Sequence, residues 1–143
     1  MSNCRPAALN TGGNRLPAYC SSLGRVLLAH LAPDALDAYF AQVKLKACTD
    51  CTVVSASRIR ELLEKVRRDG YALVDEELET GLRAIAVPVR DASGQVIAAL
   101  NVGVPTGRVP IRLMIGEFLP VLLQGAQDMT ALLPQARHRA SQA

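Results

Sequence analysis

The sequence predicts an α+β domain in which an antiparallel β-sheet is flanked by helices, and three observations carry that prediction. Apolar residues recur at helical spacing through the first half of the chain, at Leu23, Val26, Leu27 and Leu31 and again at Ile59, Leu62, Leu63 and Val66. Two apolar runs of strand character, Leu82–Val89 and Val96–Val104, flank Asp91-Ala92-Ser93-Gly94, whose Asp and Gly suit a hairpin turn. The resulting order is helix, helix, helix, strand, strand, strand, helix, without the regular strand–helix alternation of a doubly wound sheet.

The elements follow in order. Residues 1–15 are polar, and Thr11-Gly12-Gly13-Asn14 marks a turn. Ser21 and Ser22 each qualify as N-cap of the first helix. Pro33 fits the first position of a second helix, with Asp34 and Asp37 in its opening turns and Ala35, Leu36, Tyr39 and Phe40 as its apolar stripe. A mixed connector, Lys44–Ser57, leads to the third helix. Ser57 is placed to cap that helix, and Gly70 stands where a left-handed C-terminal cap belongs. Pairing of Glu61 with Lys65 and Glu64 with Arg68 at i,i+4 is expected to neutralise its basic face. Tyr71–Asp75 reads as a short strand, followed by the hairpin, in which Ala98, Ala99 and Gly103 are small enough for close packing. A last helix is expected from about Ile111 to Leu133, kinked at Pro120, and residues 135–143 read as a frayed tail.

Composition bounds the function. The chain has 143 residues, of which 50% are hydrophobic, 20% charged and 3% aromatic, enough to bury a core in one domain and too apolar for disorder. Neither a signal peptide nor a stretch approaching the ~20 apolar residues of a membrane span is evident, which points to a cytoplasmic protein without membrane contact. The net charge of +3 is spread thinly: residues 1–70 hold 10 basic and 6 acidic side chains, residues 71–143 hold 6 and 7. With no clustered basic face and no stacking platform, direct nucleic-acid binding by this chain alone is not expected.

Three features suggest chemistry. Cys48-Thr49-Asp50-Cys51 has the spacing of a redox pair, but it lies in a connector rather than at a helix start. Only Cys4, Cys20, His30 and His138 are left to complete a metal set, and none has a paired spacing, so incidental, reduced thiols are the better reading. The acidic run Asp75, Glu76, Glu77 and Glu79 is compatible with metal or acid–base work, and equally with a solvated loop. Leu16 to Gly24 brings backbone N–H groups and two serine hydroxyls to a helix start, which suits a carboxylate or phosphate as well as an ordinary capped helix. No phosphate loop or nucleophile elbow is present, so neither an enzyme nor a cofactor is indicated.

Three stretches carry a family resemblance. They are Gly13-Asn14-Arg15-Leu16-Pro17-Ala18-Tyr19-Cys20-Ser21-Ser22-Leu23-Gly24-Arg25 with Val26 to Ala29; Val66 to Glu79; and Gly81 to Asp91 with Gly94 and Ala98-Ala99-Leu100-Asn101-Val102. In that order they resemble the effector-binding domain of IclR-family transcriptional regulators, across about residues 13–134. Within the family, the first stretch is most similar to the protocatechuate and p-hydroxybenzoate regulators of the β-ketoadipate pathway.

The resemblance implies a GAF-like fold that binds a small carboxylated metabolite, an aromatic or keto acid, and assembles as a homodimer or homotetramer. It implies a pocket at Ser22 and Leu23, with Asp75, Leu82, Ala84, Asn101 and Gly103 completing it. Ser21 or Ser22 and the helix-start amides would hold the carboxylate, Asp75 and Asn101 would bond hydroxyl or keto oxygens, and Arg83 is a candidate charge partner. DNA binding would belong to a winged helix-turn-helix that the family places upstream. Residues 1–12 are too few for that domain or for the sheet's first strands, so the chain is expected to be a fragment or a truncated reading frame. A sheet without those strands is expected to offer a free edge. The competing readings are a thiol redox or metal-dependent enzyme built on Cys48 and Cys51, and a self-associating remnant without a working pocket.

Overall fold

A computed structural model describes residues 15–134; the segment 1–12, the turn at residues 11–14 and the tail 135–143 lie outside the described residues. A single 3-10 turn, Ala18–Cys20, leads into α1 (Ser22–Ala29), followed by α2 (Pro33–Gln42) and α3 (Ala56–Asp69). Strands β1 (Ala72–Asp75), β2 (Leu82–Arg90) and β3 (Val96–Pro105) come next, and then the helical segments α4 (Ile111–Leu113) and α5 (Leu119–Leu132). The sheet has the order β1-β2-β3 and both pairings are antiparallel, so the α+β class stands.

Local chemistry explains the element ends. Ser21 caps α1, its Oγ accepting the Gly24 N–H at 3.1 Å. The 3-10 turn folds directly against α1, and a Cβ on Gly24 would stand 2.3 Å from the Ala18 Cα, so glycine is required there. Helix α3 is capped by Ser55 rather than by Ser57. Its Oγ accepts the Arg58 N–H, three residues on, while Ser57 already lies in the first turn. Gly70, at φ +80°, closes α3 with its N–H on the Val66 carbonyl.

The expected i,i+4 pairs on α3 do not form. Glu61 reaches back to Arg58 at 2.8 Å, and Arg67 donates instead to the carbonyl oxygens of Ala29 and Leu31, tying α3 to the C-terminal end of α1. In the hairpin turn, Asp91 Oδ1 accepts from the Ser93 N–H, the Ser93 hydroxyl and the Gln95 N–H. These bonds, the hydroxyl's first, hold the Asp91 carboxyl below its ordinary pKa. Gly94 supplies the positive φ, +86°, that the turn needs.

Alternation along the strands divides the core. Ala72 and Ala86 face α1, α2 and α3, whose Val26, Leu28, Ile59 and Leu63 are buried with them. Ile85, Val87, Val89 and Val104 face the other way, onto Met114, Leu122 and Ala126. Where a kink is expected at Pro120, the irregularity is a wider turn just upstream of it. Met114–Phe118 is a π-helical turn, and Pro120 sits within the first turn of α5. Proline lacks the N–H for an i→i−4 bond and its ring crowds that carbonyl, which the wider turn relieves. Among the described residues, no helix is long and apolar enough to cross a membrane.

Candidate functional site

A cavity of about 110 Å³ lies between the start of α1 and the sheet. Its sheet side is a graded row. Val74 on β1 is paired with Ala84 on β2, and Ala84 with Gly103 on β3, so side-chain bulk falls stepwise across the strands. Space opens where the row runs out of side chain. A Cβ on Gly103 would come within 3.4 Å of the Leu82 Cδ1, inside the present cavity wall.

The helix side is polar. Ser21 and Ser22 line the cavity and are 5% and 2% exposed. Ser21 Oγ is committed to the Gly24 N–H, whereas Ser22 Oγ accepts from Asn101 Nδ2 at 3.3 Å across the cavity. Helical geometry leaves the N–H groups of Ser22 and Leu23 without intrahelical partners, at the positive end of the helix dipole. Among the described residues, no charged side chain lines the cavity. An occupant would therefore meet amide and hydroxyl donors, the Asn101 amide and an apolar wall, an arrangement that can hold an anion by hydrogen bonds without a counter-charge.

Of the residues singled out from sequence, Ser21, Ser22, Leu23, Leu82, Ala84, Asn101 and Gly103 come together at this cavity. Asp75 and Arg83 do not. Strand parity decides this: Val74 and Ala84 face the cavity, so Asp75 and Arg83 face the opposite side of the sheet. There, in register with each other, they form an ion pair of 2.8 Å, and Arg83 Nη1 also donates to the Val109 carbonyl at 2.7 Å. Arg83 thus ties down the segment after β3 instead of meeting a ligand. Ala98 and Ala99 also pack elsewhere, Ala99 toward α1 and Ala98 toward α5.

Sequence reasoning missed Leu16, Cys20, Val74 and Leu78, which complete the lining. Val74 is placed by its register with Ala84, which the four residues of β1 do not reveal by themselves. The acidic run is also not the solvated loop its composition suggests. Glu77 is buried and receives both Nη groups of the buried Arg25, at 2.7 and 2.6 Å.

The cysteines do not make a redox pair of Cys48 with Cys51. Cys51 is a free, exposed thiol, while Cys48 is disulfide-bonded, contrary to the expectation of reduced thiols throughout, and its Sγ lies 4.0 Å from that of Cys20. Cys20 is free and buried, and burial pushes its thiol up to about 11 against the ordinary 9.0, which disfavours the thiolate. Among the described residues, no group of three His, Cys, Asp or Glu side chains is placed to hold a metal ion.

Residues 2–131 match the family model described as bacterial transcriptional regulator IclR, C-terminal. The chain is 47% identical over 117 residues to the Pca regulon regulatory protein of Pseudomonas putida, covering 82% of this chain and 40% of that protein. It is 40% identical over 121 residues to the p-hydroxybenzoate hydroxylase transcriptional activator of Acinetobacter baylyi, covering 85% of this chain and 45% of that one. The chain thus spans less than half the length of both curated relatives. Among solved structures, the inducer-binding domain of a PobR double mutant from Acinetobacter, in complex with 3-hydroxybenzoic acid, superposes with a TM-score of 0.81 at 40% identity, over 85% of this chain and 69% of that one. The IclR of Thermotoga maritima superposes with a TM-score of 0.77 at 27% identity, over 88% and 50%. The chain belongs to the IclR family of bacterial transcriptional regulators and corresponds to its C-terminal domain.

Proposed function

We propose that the cavity beneath α1 is an effector site for a small carboxylated metabolite, an aromatic or keto acid, and that this domain is a sensor rather than an enzyme. In a longer protein, occupancy would modulate DNA binding through the winged helix-turn-helix that the family places upstream, with assembly as a homodimer or homotetramer. The observation that carries the reading is the cavity's composition: helix-start amides, two serines and an asparagine facing an apolar wall, with no charged side chain among the described residues. Its volume of about 110 Å³ is below the ~150 Å³ of an apolar cavity that accommodates benzene, so a short-chain acid fits it as it stands and an aromatic acid requires its wall to yield.

Protocatechuate, 4-hydroxybenzoate, 3-hydroxybenzoate, β-ketoadipate and pyruvate are the acids to test, by calorimetry and thermal unfolding of the chain. At 100 times its dissociation constant, a bound acid adds ~2.7 kcal/mol. Ser22→Ala is expected to weaken binding at least fivefold while leaving the unliganded melt near that of the parent. A folded chain stabilised by none of the five, or equal affinity in Ser22→Ala, would defeat this assignment.

A further inference from the structure

We propose that Arg25 and Glu77 form a positioning pair that sets the shape of the cavity and thereby its selectivity among small acids, an inference that rests on the reading of the cavity as an effector site. Neither side chain lines the cavity, yet each is fixed to one of its two walls. Arg25 projects from α1, and its Nε donates to the Tyr19 carbonyl at 2.8 Å, bracing the turn that carries Cys20, Ser21 and Ser22. Glu77 directly precedes Leu78, which lines the cavity together with Leu82. The bidentate contact between them joins the turn that carries the serines to the segment that carries Leu78.

The loop so held does not rest in a relaxed shape. Glu76 has φ +57°, a left-handed conformation at a residue other than glycine, and such strain persists only where surrounding contacts over-determine it. Those contacts are present. Glu76 Oε1 accepts the Gly81 N–H, the Thr49 and Thr52 hydroxyls donate to the Glu76 and Glu77 carbonyl oxygens, and Glu77 Oε1 accepts the Val53 N–H at 3.0 Å. Stability alone does not call for an ion pair here, since an apolar pair of similar volume often serves a core equally well. What an apolar pair lacks is direction. The planar guanidinium and carboxylate fix one mutual orientation, and with it the distance of Leu78 and Leu82 from the serines.

The test is the double variant Arg25→Met/Glu77→Leu, which leaves no buried charge unpaired. It is expected to melt cooperatively, to exchange the amide hydrogens of residues 76–82 at least tenfold faster, and to change the ratio of affinities for 3- and 4-hydroxybenzoate at least fivefold. A folded double variant with the parent's exchange rates and the parent's ratio overturns the proposal. If the double variant fails to fold, the parent decides: its Arg25 Nε–H resonance is expected to shift on saturation with a bound acid, and a resonance that stays in place refutes the pair's role. If the parent binds one or more of the other three acids but not these two, the ratio is taken between two acids it does bind; if it binds none of the five, the effector reading fails by itself. The pair is then judged by amide exchange alone, where unchanged protection of residues 76–82 in the folded double variant counts against it.

Discussion

Single atoms decide two glycines in opposite ways. At Gly24 the missing Cβ is required by backbone: the Ala18 Cα and carbonyl oxygen stand 2.3 and 2.4 Å from where it would be, and neither can turn aside as a side chain does. Gly24→Ala gains helix propensity, yet the clash outweighs it, and a loss of about 2 kcal/mol is expected. A melt unchanged within 1 °C would show that the 3-10 turn moves away freely. At Gly103 the missing Cβ leaves space instead, its nearest neighbour the Leu82 Cδ1 at 3.4 Å. Gly103→Val places a β-branched residue in a strand, which suits the backbone, and fills cavity volume. At least tenfold weaker acid binding is expected with no loss of melting temperature. Full affinity in that variant would move the ligand elsewhere.

At the scale of elements, parity is the main lesson. The hairpin was legible because Leu82–Val89 and Val96–Val104 bracket Asp91 and Gly94, and Asp91 does form the turn's hydrogen-bond hub. The facing of β1 was not legible from its own four residues, where an apolar run offers no alternation to read. Pairing supplies it. Val74 is registered with Ala84 and Asp75 with Arg83, so the acid and the arginine share the face toward α5. Their ion pair is partly exposed, 13% at Arg83 and 40% at Asp75, so solvent screening limits its worth. Arg83→Met is therefore expected to cost about 1 kcal/mol, mostly through the lost bond to the Val109 carbonyl, and to leave acid affinity within twofold. A tenfold loss of affinity in calorimetry would return Arg83 to the binding site.

Across the whole molecule, β2 is the shared element. Its Ala86 belongs to the core under α1, α2 and α3, while its Ile85, Val87 and Val89 belong to the core under Met114 and α5. Amphipathic periodicity located the helices of the first layer in the sequence. The contacts that join distant parts escaped it, because nothing local marks Arg25 as the partner of Glu77, 52 residues away. A strand that contributes to both cores leaves neither able to unfold alone without stripping one of its faces, so a single cooperative transition is expected. Leu63 and Met114, 2% and 0% exposed, lie in different cores on opposite faces of the sheet. Leu63→Ala and Met114→Ala should each cost about 2–5 kcal/mol through lost burial and the cavity left behind. Each should shift the same single transition, read alike by far-ultraviolet circular dichroism and by calorimetry. A bound acid should raise that transition in both variants, because the effector cavity and both cores would share one unfolding equilibrium. Two resolved transitions, with only the α1-side one responding to ligand, would show that the layers are independent and that β2 does not couple them.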